Sequence, residues 1–108
     1  MHWRRPPLQH PLAPAFAHAV ESLCTALTPS SKRNYNIVVR HFLVYLGAEY
    51  LQVTRIEQLR RDPHILGWMA SLRAQIPPLA TTTRIGRLFA LRTILNELAW
   101  TSQLPQLA

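Results

Sequence analysis

An all-α fold, with four main helices and one short one in a single domain, is what this sequence predicts, and three observations carry it. Apolar residues recur at steps of three and four over four separate stretches. Prolines fall between those stretches or at their first positions. No segment makes a convincing β-strand, because period-two alternation is not sustained. The 108 residues suit one domain, and a chain of that size hides roughly two-thirds of its unfolded surface on folding, enough for a core without staples. An apolar content of 48% fits a packed globule and argues against intrinsic disorder.

Residues 1–14 contain Pro6, Pro7, Pro11 and Pro14, which block regular helix and favour an extended arm. Over 15–27, Phe16, Val20, Leu23, Cys24 and Leu27 share one helical face. Thr28-Pro29 is expected to end that helix, because a residue before proline avoids the helical region. Ser30 or Ser31 is the expected N-cap of a helix over 31–46 that buries Tyr35, Val38, Val39, Phe42 and Leu46. Gly47 is its expected stop. The β-branched Ile37, Val38 and Val39 would also suit a strand, but the unbroken apolar run Phe42 to Leu46 favours helix.

Thr54 is expected to cap a short turn of helix over 55–61. Asp62-Pro63 reads as a new start, with Asp62 as cap and Pro63 in the first helical position. The helix over 63–75 buries Ile65, Trp68, Met69 and Leu72, and Pro77-Pro78 breaks it. Thr81 caps the last helix, 82–100, which buries Ile85, Leu88, Leu91, Leu95 and Leu98. The chain thus divides into an arm (1–14), a helical domain (15–101) and the start of a linker (102–108).

Twelve basic residues, eleven of them arginine, face five acidic ones for a net charge of +7. That surplus favours a polyanionic partner. Coding bias toward arginine is the plainer account, but it would enrich glycine too, and only three glycines occur. The lone Cys24 forms no internal disulfide and no multi-cysteine zinc site, which points to a reducing, cytoplasmic compartment. No apolar run reaches the ~18 residues of a membrane span, and prolines interrupt the segment after Arg4 and Arg5, so it does not read as a secretory signal. No cofactor, metal or small-molecule substrate is expected. The five histidines lack metal-ligand spacing, and no set of nucleophile, base and stabiliser is visible.

Helical spacing places the positive charge. In the second helix Arg33, Asn36 and Arg40 form a stripe opposite Tyr35, Val38 and Phe42, with Lys32 on its flank. In the last helix Thr83, Gly86, Arg87, Ala90 and Thr93 share a sector, with Arg84 one step round. Small side chains beside an arginine let a helix lie close to a bulky partner such as a DNA groove. Thr81, Thr82 and Thr83 set hydroxyls and unpaired amides at that helix start, where phosphate is favoured. Arginine clamps phosphate or reads guanine, while threonine and asparagine supply hydrogen bonds. Simpler accounts compete: a solvated charge stripe on one helix, and on the other plain capping threonines with Gly86 as a packing gap.

The stretch Ser31-Lys32-Arg33-Asn34-Tyr35, followed by Phe42-Leu43 and Leu46, resembles the Thr-x-x-x-Tyr helix of the N-terminal core-binding domains of tyrosine recombinases (phage integrases and Xer-type recombinases), with serine for threonine. Leu79, Thr83, Leu88, Ala90, Leu91 and Arg92 match that family's second signature in register, while Gly86 replaces a common arginine. Val53-Thr54 and Leu59 resemble the opening of the family's third helix. The likeness covers residues 15 to about 105.

The resemblance implies a four- to five-helix, SAM-like orthogonal bundle that clamps double-stranded DNA with its second and fourth helices and meets sister recombinase protomers there. Arg92 joins the candidate DNA-binding residues through it. It also implies that catalysis belongs to a separate C-terminal domain, so the chain by itself is expected to be non-catalytic. His2 and Arg5 have a His-x-x-Arg spacing but lie in the proline-broken arm, and no catalytic residue is assigned. The competing reading is a helical protein-interaction module with a basic surface.

Overall fold

The computed structural model describes residues 10–23, 28–75 and 79–102, the last three of these through their backbone alone. Among the described residues every regular element is helical. Helix α1 spans Ala13–Leu23. It begins inside the segment expected to be an extended arm, because Pro14 falls in its first turn, where the missing N–H costs no helical hydrogen bond. Leu12 just before it is fully buried. The entry turn is tied by His10, whose Nδ1 accepts the Leu12 N–H at 3.0 Å. Phe16, Ala19 and Val20 face inward and Leu23 is half-buried. The expected core positions Cys24 and Leu27 lie outside the described residues, as do Pro77-Pro78 and the segment 103–108 of the expected linker.

Helix α2 spans Pro29–Glu49. Thr28-Pro29 therefore opens α2. Thr28 is its N-cap, with Oγ1 accepting the Ser31 N–H at 3.2 Å, and Pro29 takes the first position, where its fixed φ is already helical. Ser30 and Ser31 are not caps but first-turn residues. Val38, Val39, Phe42, Leu43 and Leu46 are buried, whereas Tyr35 is half-buried. Gly47 does not stop the helix. It lacks the positive φ of a C-terminal glycine, and the last turn closes with Tyr50 donating its N–H to the Leu46 carbonyl at 2.8 Å. A helical glycine costs about 1 kcal/mol; just beyond it the Tyr50 ring packs on Tyr45 and His64.

A single 3₁₀ turn, Ile56–Gln58, follows. Thr54 does not cap it. The Gln58 side chain folds back and accepts the N–H groups of Thr54 at 2.8 Å and Arg55 at 2.9 Å. Asp62 is extended, with φ −113° and ψ 122°, before a cis peptide to Pro63. The backbone is helical from Pro63 on, as expected, with Asp62 in the extended conformation of a cap, and the regular α-helical stretch that follows, α3, is Leu66–Arg73. Ile65, Trp68 and Leu72 are buried, and Met69 is half-buried. Helix α4 spans Thr81–Ser102. Thr81 is its first residue and not its cap, since the Ala80 carbonyl accepts the first helical hydrogen bond, from the Arg84 N–H at 3.1 Å.

Helix α4 packs against α1, α2 and α3, and α1 packs against α2. Ala90, Leu91, Ile94, Leu95 and Leu98 supply its core stripe. Ile85, expected inside, is 47% exposed and Leu88 is half-buried. The first two turns of α4 therefore carry less buried apolar surface than the rest. At the centre the Phe42 ring lies 6.0 Å from Phe16 and 5.6 Å, edge-on, from Trp68, separations at which aromatic pairs attract beyond their burial.

One buried polar residue was not foreseen. His64 is buried against Tyr50, and its Nδ1 accepts the Arg60 N–H at 2.9 Å. Burial, then the positive charge of Arg60, lowers its pKa below 6.5, and burial lowers that of His10 as well. A proton on either acceptor nitrogen would face a backbone N–H. The unfolded chain therefore binds more protons below about pH 6.5, and stability is lost as pH falls through that region. The unfolding free energy read from urea denaturation is expected to drop between pH 7 and pH 5, by about 1 kcal/mol for the lost His64 hydrogen bond. His64→Gln, which keeps an acceptor but cannot titrate, should flatten that drop.

Candidate nucleic-acid interface

The continuous helix α2 sets Lys32, Arg33, Asn36 and Arg40 around one open hollow of about 570 Å³, where α2 meets Ala13 and Ala17 of α1. The predicted stripe on α2 therefore shares one surface. Lys32 is partly engaged there, with Nζ 2.8 Å from Glu21 Oε1 of α1. An exposed pair of this kind is worth about 0–1 kcal/mol, so a phosphate can compete for the lysine.

Arg40 also borders a second hollow of about 260 Å³, with His41, Trp68, Ser71 and, from α4, Arg87. Two arginines far apart in sequence thus line one concavity over the core residue Trp68. Arg87 sits where α4 begins to bury its stripe, one turn before Ala90 and Leu91, and is half-buried. His41 was not among the expected residues. Its exposed place beside Arg40 in the sequence was the available signal.

The other expected residues of α4 divide. Thr81 and Arg84 line a third hollow with Arg73, and the Arg84 Nη2 donates to Thr81 Oγ1 at 3.2 Å. The Arg84 Nε is buried without a hydrogen-bond partner. Arg92 is exposed and lines a fourth hollow with Arg61 and Asn96. With 3.6 residues per turn, Arg87 and Arg92 point about 140° apart, so one flat surface does not take both. Adjoining hollows nevertheless share walls: Arg40 joins the first two, Leu72 the second and third, and Met69 with Leu88 the last two.

Thr83 and Gly86 are exposed. A Cβ at Gly86 would meet nothing within 4 Å, so the glycine fills no packing gap among the described residues. Ala90 leaves the expected open sector, being buried in the core. Thr93 is half-buried, and its hydroxyl donates to the Phe89 carbonyl at 2.9 Å. The amides of Thr81, Thr82 and Thr83 precede the first hydrogen bond within α4, leaving a partial positive charge beside their exposed hydroxyls.

Tyr45 packs against Tyr50 with ring centroids 5.9 Å apart. Burial, a hydrogen bond with Tyr50 and the negative potential of Tyr50 and Glu49 push its pKa up to about 12, away from any activated phenolate. Among the described residues no three His, Cys, Asp or Glu side chains come together as a metal site, and no helix is long and apolar enough to cross a membrane. Compared with protein-family models, curated proteins and solved structures, the chain matches none.

Proposed function

We propose that this chain binds double-stranded DNA through α2 and the N-terminal half of α4, as a SAM-like core-binding domain resembling those of tyrosine recombinases. In that role it supports DNA integration and recombination beside sister protomers in the cytoplasm, and leaves the chemistry to a separate catalytic domain. The observation that carries the reading is the meeting of Arg40 and Arg87 in one hollow, next to the hollow of Lys32, Arg33 and Asn36. Guanidinium groups are planar, always charged and matched to phosphate by their paired N–H donors. Arg40 and Arg87 form the centre of the surface, Lys32, Arg33, Asn36 and Thr83 extend it, and Thr81, Arg84 and Arg92 stand at its far edge.

The test is fluorescence anisotropy of a labelled duplex titrated with the chain at several salt concentrations. Each phosphate neutralised contributes a slope of about −0.9 in log K against log salt. Contacts from Lys32, Arg33, Arg40 and Arg87 are expected to give a slope of roughly −3 to −4. Absent binding, or binding insensitive to salt, on every duplex tried removes the proposal.

A further inference from the structure

The groove between α3 and α4, whose Arg84 and Arg92 stand at the far edge of the proposed DNA surface, has an apolar floor that the DNA reading leaves unused. Its floor is apolar, with Met69 and Leu72 from α3 facing Ile85 and Leu88 from α4. Leu66 extends the floor at one end. Leu66 and Ile85 are 41% and 47% exposed. Arginines stand at both ends, Arg73 and Arg84 at one and Arg61 and Arg92 at the other. No carboxylate is among the described residues that line it.

We propose that this groove docks an acidic amphipathic helix of a partner protein. An apolar ridge on that helix covers Ile85, Leu88 and Met69, and acidic residues beside the ridge meet the arginines. Apolar anchors supply affinity in such grooves, and complementary charge at the rim selects the partner. Arg84 and Arg92 are eight residues apart on one helix, about 12 Å at 1.5 Å per residue. That span calls for acidic groups about two turns apart on the docked helix. DNA fits less well, because its phosphates would answer the arginines and leave the apolar floor uncovered. A second copy fits less well too, because it carries a net charge of +7 and would set arginine against arginine.

The experiment uses the whole chain and two fluorescein-labelled synthetic peptides of one composition. In the first, leucines at i, i+3, i+4 and i+7 share a face flanked by glutamates. In the second, the same residues are shuffled so that the leucines share no face. The patterned peptide is expected to bind at least about tenfold more tightly than the shuffled one. Ile85→Asp and Arg92→Glu, both at exposed positions, should each weaken it about tenfold, with the helical circular dichroism and melting curve retained. Arg55→Glu, the same charge change on an exposed loop residue outside the groove, should leave binding within about twofold, as expected of a rim-distant surface charge. Equal binding of the two peptides overturns the proposal, as does unchanged binding by both groove variants. It is also overturned if Ile85→Asp abolishes duplex binding, which would assign the groove to DNA. The DNA reading is judged separately, through Arg40 and Arg87, so failure of one does not carry the other.

Discussion

Replacing Arg40 and Arg87 together by alanine is expected to weaken duplex binding about a hundredfold at low salt, at roughly 1.4 kcal/mol for each charge-assisted hydrogen bond to phosphate that is removed. It should also reduce the salt slope by about two. The two side chains come from α2 and α4 but line one hollow, so each single variant should show a smaller loss of the same kind. Neither is fully buried, and their removal should change stability by no more than about 0.5 kcal/mol. Equal urea midpoints with unequal DNA affinity would separate recognition from folding. If the double variant binds like the parent chain, the hollow between α2 and α4 is not the DNA surface.

Phe42→Ala should have the largest effect on stability, a loss of about 3–5 kcal/mol from the emptied volume and the forfeited transfer energy. Phe42 is fully buried between Phe16 of α1 and Trp68 of α3, so its removal loosens three helices at once. A domain of this size is stable by about 5–15 kcal/mol in total, so the loss takes from about a fifth to nearly all of that margin, and the variant is expected to unfold at much lower urea than the parent chain. Urea denaturation followed by helical circular dichroism reads the loss directly. DNA affinity should fall with it, because the arginines of α2 and α4 are held together only by this core. Val44→Ala offers the contrast: Val44 is 54% exposed, and surface substitutions of this kind change stability by about 0.5 kcal/mol or less.

Most of the helical plan was legible in the residues, because spacing at three and four is a local property of the chain. Val38, Val39, Phe42 and Leu46 were expected inside α2 and are buried there. Trp68 and Leu72 in α3, and Leu91, Leu95 and Leu98 in α4, follow the same rule. The misreadings fall where two local signals compete. Thr28-Pro29 carries both a helix-ending and a helix-opening signal, and the structure uses the opening one through the Thr28 hydroxyl. Gly47 resembles a stop, but α2 runs on to Glu49 and closes through Tyr50, whose ring packs on His64 from a later part of the chain. Ile85 obeys the apolar spacing of α4 and still stands 47% exposed, because burial also requires a neighbouring element opposite that turn.

The candidate surface shows the same division more sharply. The residues alone determined an all-helical chain, a large positive surplus and a basic stripe along α2, since composition and single-helix geometry need no knowledge of what lies nearby. Only the tertiary structure decided that Arg87 joins Arg40, that Arg73 of α3 comes beside Thr81 and Arg84, and that Arg92 stands with Arg61. Those groupings depend on how α2, α3 and α4 cross, and the crossing is set by side chains such as Phe42 and Trp68 packing over long sequence separations.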